Sequence, residues 1–173
     1  MHDDGSNFLL HICLDNPKRF RGCNWENVLV SDEAEANKAT VARFWETLAA
    51  RDWDRLKTFF TEDARYTDIG SPGPEAHGPE NIIKRLYALN LIEGYEHLPG
   101  TNVLAEGDLV MTEHTERWIF EPGKVVDHGF VSVTQFRDGK ICRWHDYSNL
   151  ANIVDNAPQW WVERMIAETP CFT

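Results

Sequence analysis

Positive charge is scarce in this chain: 17 Lys and Arg stand against 28 Asp and Glu, a formal net charge of -11 over 173 residues. Phosphate backbones and anionic lipid are bound by clustered cations that release counterions, so neither nucleic acid nor a membrane surface is an expected partner. Cysteine is sparse as well. Cys13, Cys23, Cys142 and Cys171 show no CxxC spacing, which argues against a zinc knuckle or redox pair and fits a reduced, cytoplasmic setting. The apolar run from Phe8 to Ile12 is too short for a membrane span or a signal-peptide core, and Met1-His2-Asp3-Asp4 is acidic where a signal peptide is basic. Cys171 is third from the end, one place wrong for a prenylation box. Neither HxH nor HExxH occurs, so His114, Glu116, His128 and Asp146, though nominal donors, are not expected to hold a metal, and no other cofactor is expected.

What is present is a globular composition, 42% apolar and 26% charged, with seven Trp and nine Phe. That many large rings exceeds what a minimal core needs and suits a ring-lined pocket. The length fits one core. The expected organisation is an extension over 1–30, a domain over 31–156 and a C-terminal helix or tail over 157–173.

Helical spacing comes first. Asp32-Glu33-Ala34-Glu35 opens a helix whose Val41, Phe44, Trp45 and Leu48 recur on one face. Asp52 is placed to cap a second, short helix carrying Trp53, Leu56, Phe59 and Phe60. After an extended stretch at Ala64 to Thr67 and a turn-rich one from Asp68, Gly78-Pro79-Glu80 starts a third helix with an apolar stripe through Ile82, Ile83, Leu86, Tyr87 and Leu89. From Tyr95 the pattern is extended. Turns at Glu106-Gly107-Asp108, Glu121-Pro122-Gly123-Lys124 and Arg137-Asp138-Gly139-Lys140 imply four consecutive antiparallel strands. Helices followed by a meander define an α+β class in which a curved, mostly antiparallel sheet wraps three N-terminal helices into a cone-shaped barrel enclosing a cavity. Trp160, Trp161, Val162 and Met165 suit a lid helix.

Two strand segments concentrate ionisable groups. In the first, His114 and Glu116 share a face with Val110, Thr112 and Trp118; in the last strand, Asp146 shares one with Cys142 and Trp144, while Arg143, His145 and Tyr147 form a wetter face. Asp146 is thus the better inward candidate. His128 is inward if Phe130 is, and Trp118, Trp144, His128 and Phe130 are expected pocket walls.

The segments Val41-Ala42-Arg43-Phe44-Trp45, Phe59-Phe60-Thr61-Glu62-Asp63-Ala64, His77-Gly78-Pro79-Glu80 and Asp138 to Tyr147 resemble the nuclear transport factor 2 fold. Within it, the chain is similar to limonene-epoxide hydrolases and nogalamycin-type polyketide cyclases. The resemblance implies an inward aspartate, Asp146, as general base on a water held by a tyrosine, matched by Tyr66, and by an asparagine, for which Asp68 stands here. It also implies an acid and an arginine two residues apart on the earlier strand, where this chain has Glu116 and His114. Arginine stays cationic whereas histidine titrates near neutrality and can itself move a proton. If Asp68 and Asp146 approach, repulsion should raise one pKa and leave a protonated acid. The alternative dyad is His114 as base, oriented by Asp146 or Glu116.

The expected function is cofactor-independent acid/base chemistry on a small hydrophobic molecule, epoxide-hydrolase-like, with Asp146, His114, Glu116, Tyr66 and Asp68 as the reacting set. A polyketide cyclase, isomerase or dehydratase would use the same pocket. A non-catalytic binding or dimerisation domain is the third reading, and the resemblance implies a homodimer.

Overall fold

The structure, a computed structural model, describes residues 32–71 and 73–168. The 1–30 extension and Cys13, Cys23 and Cys171 lie outside these. Helix α1 (Asp32–Ala49) buries Val41, Phe44, Trp45 and Leu48, the face that the spacing indicated. Helix α2 (Trp53–Lys57) is capped by Asp52, whose side chain accepts the Arg55 N–H at 3.1 Å. It is shorter than its apolar pattern suggested: Phe59 lies beyond its end and Phe60 opens strand β1 (Phe60–Asp68). A two-residue strand β2 (Ala76–His77) leads into α3 (Gly78–Arg85), with Pro79 in its first turn where a missing N–H costs nothing. The predicted third helix is also split. It stops at Arg85 and continues as a 3-10 segment over Tyr87–Leu91, which buries Leu89 and Leu91.

Strands β3 (Gly94–His97), β4 (Asn102–Glu106), β5 (Leu109–Glu121), β6 (Lys124–Arg137) and β7 (Lys140–Tyr147) complete the sheet, followed by α4 (Leu150–Val154) and α5 (Gln159–Glu168). The strand order is β2-β1-β7-β6-β5-β3, with β4 on the other half of β5. The β4–β7 meander is antiparallel throughout, as the three turns implied, and the sheet gains a parallel β1–β7 pair. Asp138 and Gly139, with φ 53° and 73°, make the two-residue turn that right-handed strand twist favours. The sheet is curved and does not close. Helix α1 packs on β3, β4 and β5, and α3 on β1 and β2. Among the described residues no helix is long and apolar enough to cross a membrane.

Alternation along β5 puts Val110, Thr112, His114, Glu116 and Trp118 on one face, as parity predicted, and the structure turns that face, with Phe120, inward, which the spacing left open. On β7 parity breaks. Phe136 pairs with Ile141 but Gln135 with Arg143, so Cys142 is the extra residue of a bulge. Ile141, Trp144 and Asp146 are buried, and Cys142 does not share their face; its Sγ lies 3.4 Å from the Gln135 carbonyl.

The end of β1 is drawn tightly onto the end of β7. Ile69 N–H donates to the Asp146 carbonyl at 2.8 Å, and a Cβ on Gly70 would stand 2.1 Å from the Ser148 carbonyl oxygen. Gly70→Ala should therefore cost about 1–3 kcal/mol through backbone displacement, read as a lower urea midpoint at unchanged slope. An unchanged midpoint would show that this approach is not needed.

Candidate active site

A cavity of about 430 Å³ lies between the inner face of the sheet, the 3-10 segment, α4 and α5. Its wall is mostly apolar, with Trp45, Trp118, Phe130, Trp144 and Trp161 among its rings, a size and lining that suit a small organic ligand. Helix α5 supplies Trp161, Val162, Met165 and Ile166 to one side. Four of the five residues singled out from sequence for chemistry, Tyr66, Asp68, Glu116 and Asp146, line this space, and so do all four expected wall residues, Trp118, Trp144, His128 and Phe130.

Asp146 and Glu116 are only 5% and 6% exposed. Bare carboxylates are not buried this deeply without donors, and both have them. The Asp146 Oδ1 accepts from Ser132 Oγ and, at 2.6 Å, from Trp144 Nε1; Oδ2 accepts from Tyr66 at 3.1 Å. The Glu116 Oε1 accepts from Trp118 Nε1 and Oε2 from the Tyr95 hydroxyl. Each carboxyl is thus held by a tryptophan two residues away on its own strand and a tyrosine from the neighbouring strand. A carboxylate has about four acceptor positions, so both keep capacity for a further donor.

Burial raises both acids towards neutrality. Glu116 is pushed up to about 7, against the opposing pull of its Tyr95 and Trp118 donors, with Asp68's charge adding to the rise. Asp146 is pushed up to about 8, again by burial first, with the charges of Asp68 and Glu116 adding. Repulsion by Asp68 is therefore real but secondary to desolvation. Tyr66 and Tyr95 are pushed well above the usual phenol range by burial and by the carboxyls that they contact.

Asp68, beside Asp146 in the β1–β7 register, is half-buried and accepts at Oδ1 from Ser148 Oγ at 2.7 Å and Gly70 N–H at 3.2 Å. Arg85 Nη2 reaches Ser71 Oγ at 3.1 Å on the same side of the cavity. His128, buried and stacked on Phe130 at 5.5 Å, has its pKa lowered by burial.

His114 departs from expectation. It stands behind the cavity wall, between the rings of Trp45 at 4.4 Å and Phe130 at 4.1 Å, and contacts neither Asp146 nor Glu116 directly. Its Nε2 lies 3.4 Å from Ser132 Oγ and its Nδ1 3.2 Å from His97 Nδ1. Burial, then the neighbouring His97 and His128, lower it to about 3, so the ring is neutral at pH 7. The proposed direct dyad is thus not formed: His114, on the same face as Glu116, takes His97 of β3 and Ser132 of β6 as its neighbours instead.

Tyr95, His97 and Ser132 were not singled out from sequence. Tyr95 and His97 share the inward parity of β3, and Ser132 lies opposite Asp146 in the β6–β7 register. The indole N–H of Trp45 is buried without a hydrogen-bond partner. Among the described residues, no group of three or more His, Cys, Asp or Glu side chains could hold a metal ion.

An open, curved sheet wrapped on helices, with a deep ring-lined cavity on its inner face, is the architecture of nuclear transport factor 2-like domains. The chain belongs to the SnoaL-like domain family, whose profile matches residues 41–144. Among solved structures it is similar to a candidate polyketide cyclase from Xanthomonas campestris pv. campestris, with 21% identity over 72% of this chain and 98% of that one and a TM-score of 0.63. It is similar to a limonene-epoxide-hydrolase-like (LEH-like) epoxide hydrolase of M. tuberculosis, at 21% identity, 78% and 98% coverage and TM-score 0.60. A candidate SnoaL-like polyketide cyclase from Jannaschia sp. CCS1 gives 21%, 74%, 96% and 0.64. At these identities the likeness establishes the fold.

Proposed function

We propose that this protein is a cofactor-independent acid/base enzyme that adds water to an epoxide on a small hydrophobic molecule. The observation that carries the reading is the pair of buried carboxyls on one apolar cavity, raised to about 7 and 8. Near neutrality such a pair holds about one proton between its members, so one can take a proton while the other gives one. Asp146, with Tyr66 beside it, would draw the proton from water and Glu116 would protonate the epoxide oxygen as the ring opens; with Asp146 at about 8 and Glu116 at about 7, this form is the smaller part, about a tenth, of the singly protonated pair. Positioned transfers of this kind are worth about 10² to 10⁴ in rate. Asp68, on the same cavity wall, would orient water or the substrate's polar end.

A second reading has a specific observation behind it. The resemblance sets His114 where limonene-epoxide hydrolases have the arginine that bridges the two carboxyls, and Asp68 where they have the water-holding asparagine, and in this structure His114 contacts neither carboxyl directly. A pocket with those two changes also suits proton shuttling along the substrate itself, as in a cyclase, isomerase or dehydratase. Both readings are tested by a panel of apolar epoxides and cyclisable polyketones in ¹⁸O-water. The first predicts a diol carrying the label; unlabelled product lost in Asp146→Asn would replace it with the second. No turnover of any compound would favour a binding domain, which could still act as a homodimer through its sheet.

A further inference from the structure

One polar group on the cavity wall is buried without a partner in the fold. His128 lies on the inward face of β6 between Val126 and Phe130, is 4% exposed and lines the cavity. Its ring stacks on Phe130, and among the described residues no group hydrogen-bonds its nitrogens. The two carboxyls of the same cavity each hold at least two donors by contrast. An unpaired polar group in an apolar place is costly, and a leucine would fill this one without that cost. Asn152 Nδ2 donates to the Asp127 carbonyl at 3.0 Å and holds α4 beside this stretch of β6, with Leu150 and Ile153 on the cavity wall. The imidazole therefore opens on the cavity rather than on bulk water.

Register fixes what it stands beside. His128 is directly opposite Glu116 on β5, and side chains paired in this way on one face start about 5 Å apart. Asp146 is opposite Ser132, further along β6. Burial lowers the His128 pKa from 6.5, with the charge of Asp68 opposing the shift, so at pH 7 the ring is mostly neutral. It then has one N–H to give and one nitrogen to accept with. Such a ring offers no charge to a carboxylate, but it matches a hydroxyl or a carbonyl oxygen.

Resting on the acid/base reading of the cavity, we propose that His128 is a substrate-binding residue that hydrogen-bonds a hydroxyl or carbonyl oxygen next to the group protonated by Glu116. The substrate is then an oxygenated hydrophobic molecule, a 2,3-epoxy alcohol or an α,β-epoxy ketone in the epoxide reading, and not a hydrocarbon epoxide. The selectivity has a physical cause. A hydrocarbon would cover the imidazole and leave it unpaired, whereas a neighbouring oxygen satisfies it. Loss of one such bond in a buried site corresponds to about 10- to 100-fold in kcat/KM.

Epoxides alike except for the neighbouring hydroxyl or ketone test this. The ratio of kcat/KM for the oxygenated member to that for the hydrocarbon should fall by about 10- to 100-fold in His128→Leu and recover in part in His128→Gln, which keeps an N–H and an acceptor oxygen. A ratio unchanged in His128→Leu overturns the proposal and leaves the acid/base reading standing. His128→Leu should also melt no lower than wild type, because leucine fills the place without polar atoms; a large drop would give His128 a role in the fold instead. Unreactive probes of one skeleton keep binding separate from the reaction. In ¹⁵N-histidine NMR, saturating menthol or menthone should shift the His128 ring nitrogens and p-menthane should not. Nitrogens that ignore all three, or answer them equally, overturn the proposal; a selective response beside an inactive epoxide panel overturns only the functional reading.

Discussion

Asp146→Asn is expected to abolish turnover and, at about pH 9, to melt higher than wild type by about 5–10 °C. The folded pKa of Asp146 is raised from 3.8 to about 8, chiefly by burial. For an acid shifted upward, the associated stability is fully present below the unfolded pKa and is lost as pH rises through the folded one. A shift of this size corresponds to on the order of 5 kcal/mol between about pH 4 and pH 8, reduced in practice by relaxation around the ionised group. Asparagine keeps an acceptor for Ser132 and Trp144 and carries no charge, so the gain should disappear at about pH 4, where the wild-type carboxyl is neutral too. Activity should fall by about 10² to 10⁴ at every pH, because an amide cannot take the proton. Melting curves at the two pH values and rates at one decide both parts. A variant less stable than wild type at high pH would mean that Asp146 is not strained by burial.

The second large effect is on the pH–rate profile. Wild-type kcat/KM should follow a bell with limbs at about 7 and 8. Below the first limb both carboxyls are protonated and no base remains; above the second both are ionised and no acid remains. Glu116's charge is one cause of the rise at Asp146, so the limbs belong to the pair rather than to either residue. Glu116→Gln should collapse the bell to one limb, move that limb down as the neighbouring charge is lost, and lower the rate by about 10² to 10⁴. A bell that persists unchanged in Glu116→Gln would assign the second proton elsewhere, with His128 and Asp68 among the other titratable groups on the cavity wall.

Much of the fold was legible because its signals are local. The apolar spacing of α1, the Asp52 cap, Pro79 at the start of α3 and the Asp138-Gly139 turn each depend on a few adjacent residues. The shared face of His114, Glu116 and Trp118 followed from alternation on an uninterrupted strand, and which face is inside did not. The places where reading failed have equally local causes that the pattern could not show. Phe59 and Phe60 continue a helical apolar face, but Phe60 is taken by the sheet as the partner of Ile141. On β7, the turn alone would set Asp146 opposite Val131; the bulge at Cys142 moves it opposite Ser132.

The sequence by itself determined an acidic α+β chain with a four-strand meander and put the acids Glu116 and Asp146 on strand faces shared with Trp118 and Trp144, since period, turn chemistry and charge count need no long-range contact. Tertiary structure alone decided what those acids can do. A carboxyl's pKa depends on the water removed from it and on the donors brought to it, and Tyr66 lies 80 residues from Asp146 in the chain and Tyr95 21 from Glu116. The contacts of His114 with Ser132 and His97 exist for the same reason: three strands must pair in one register before those side chains meet.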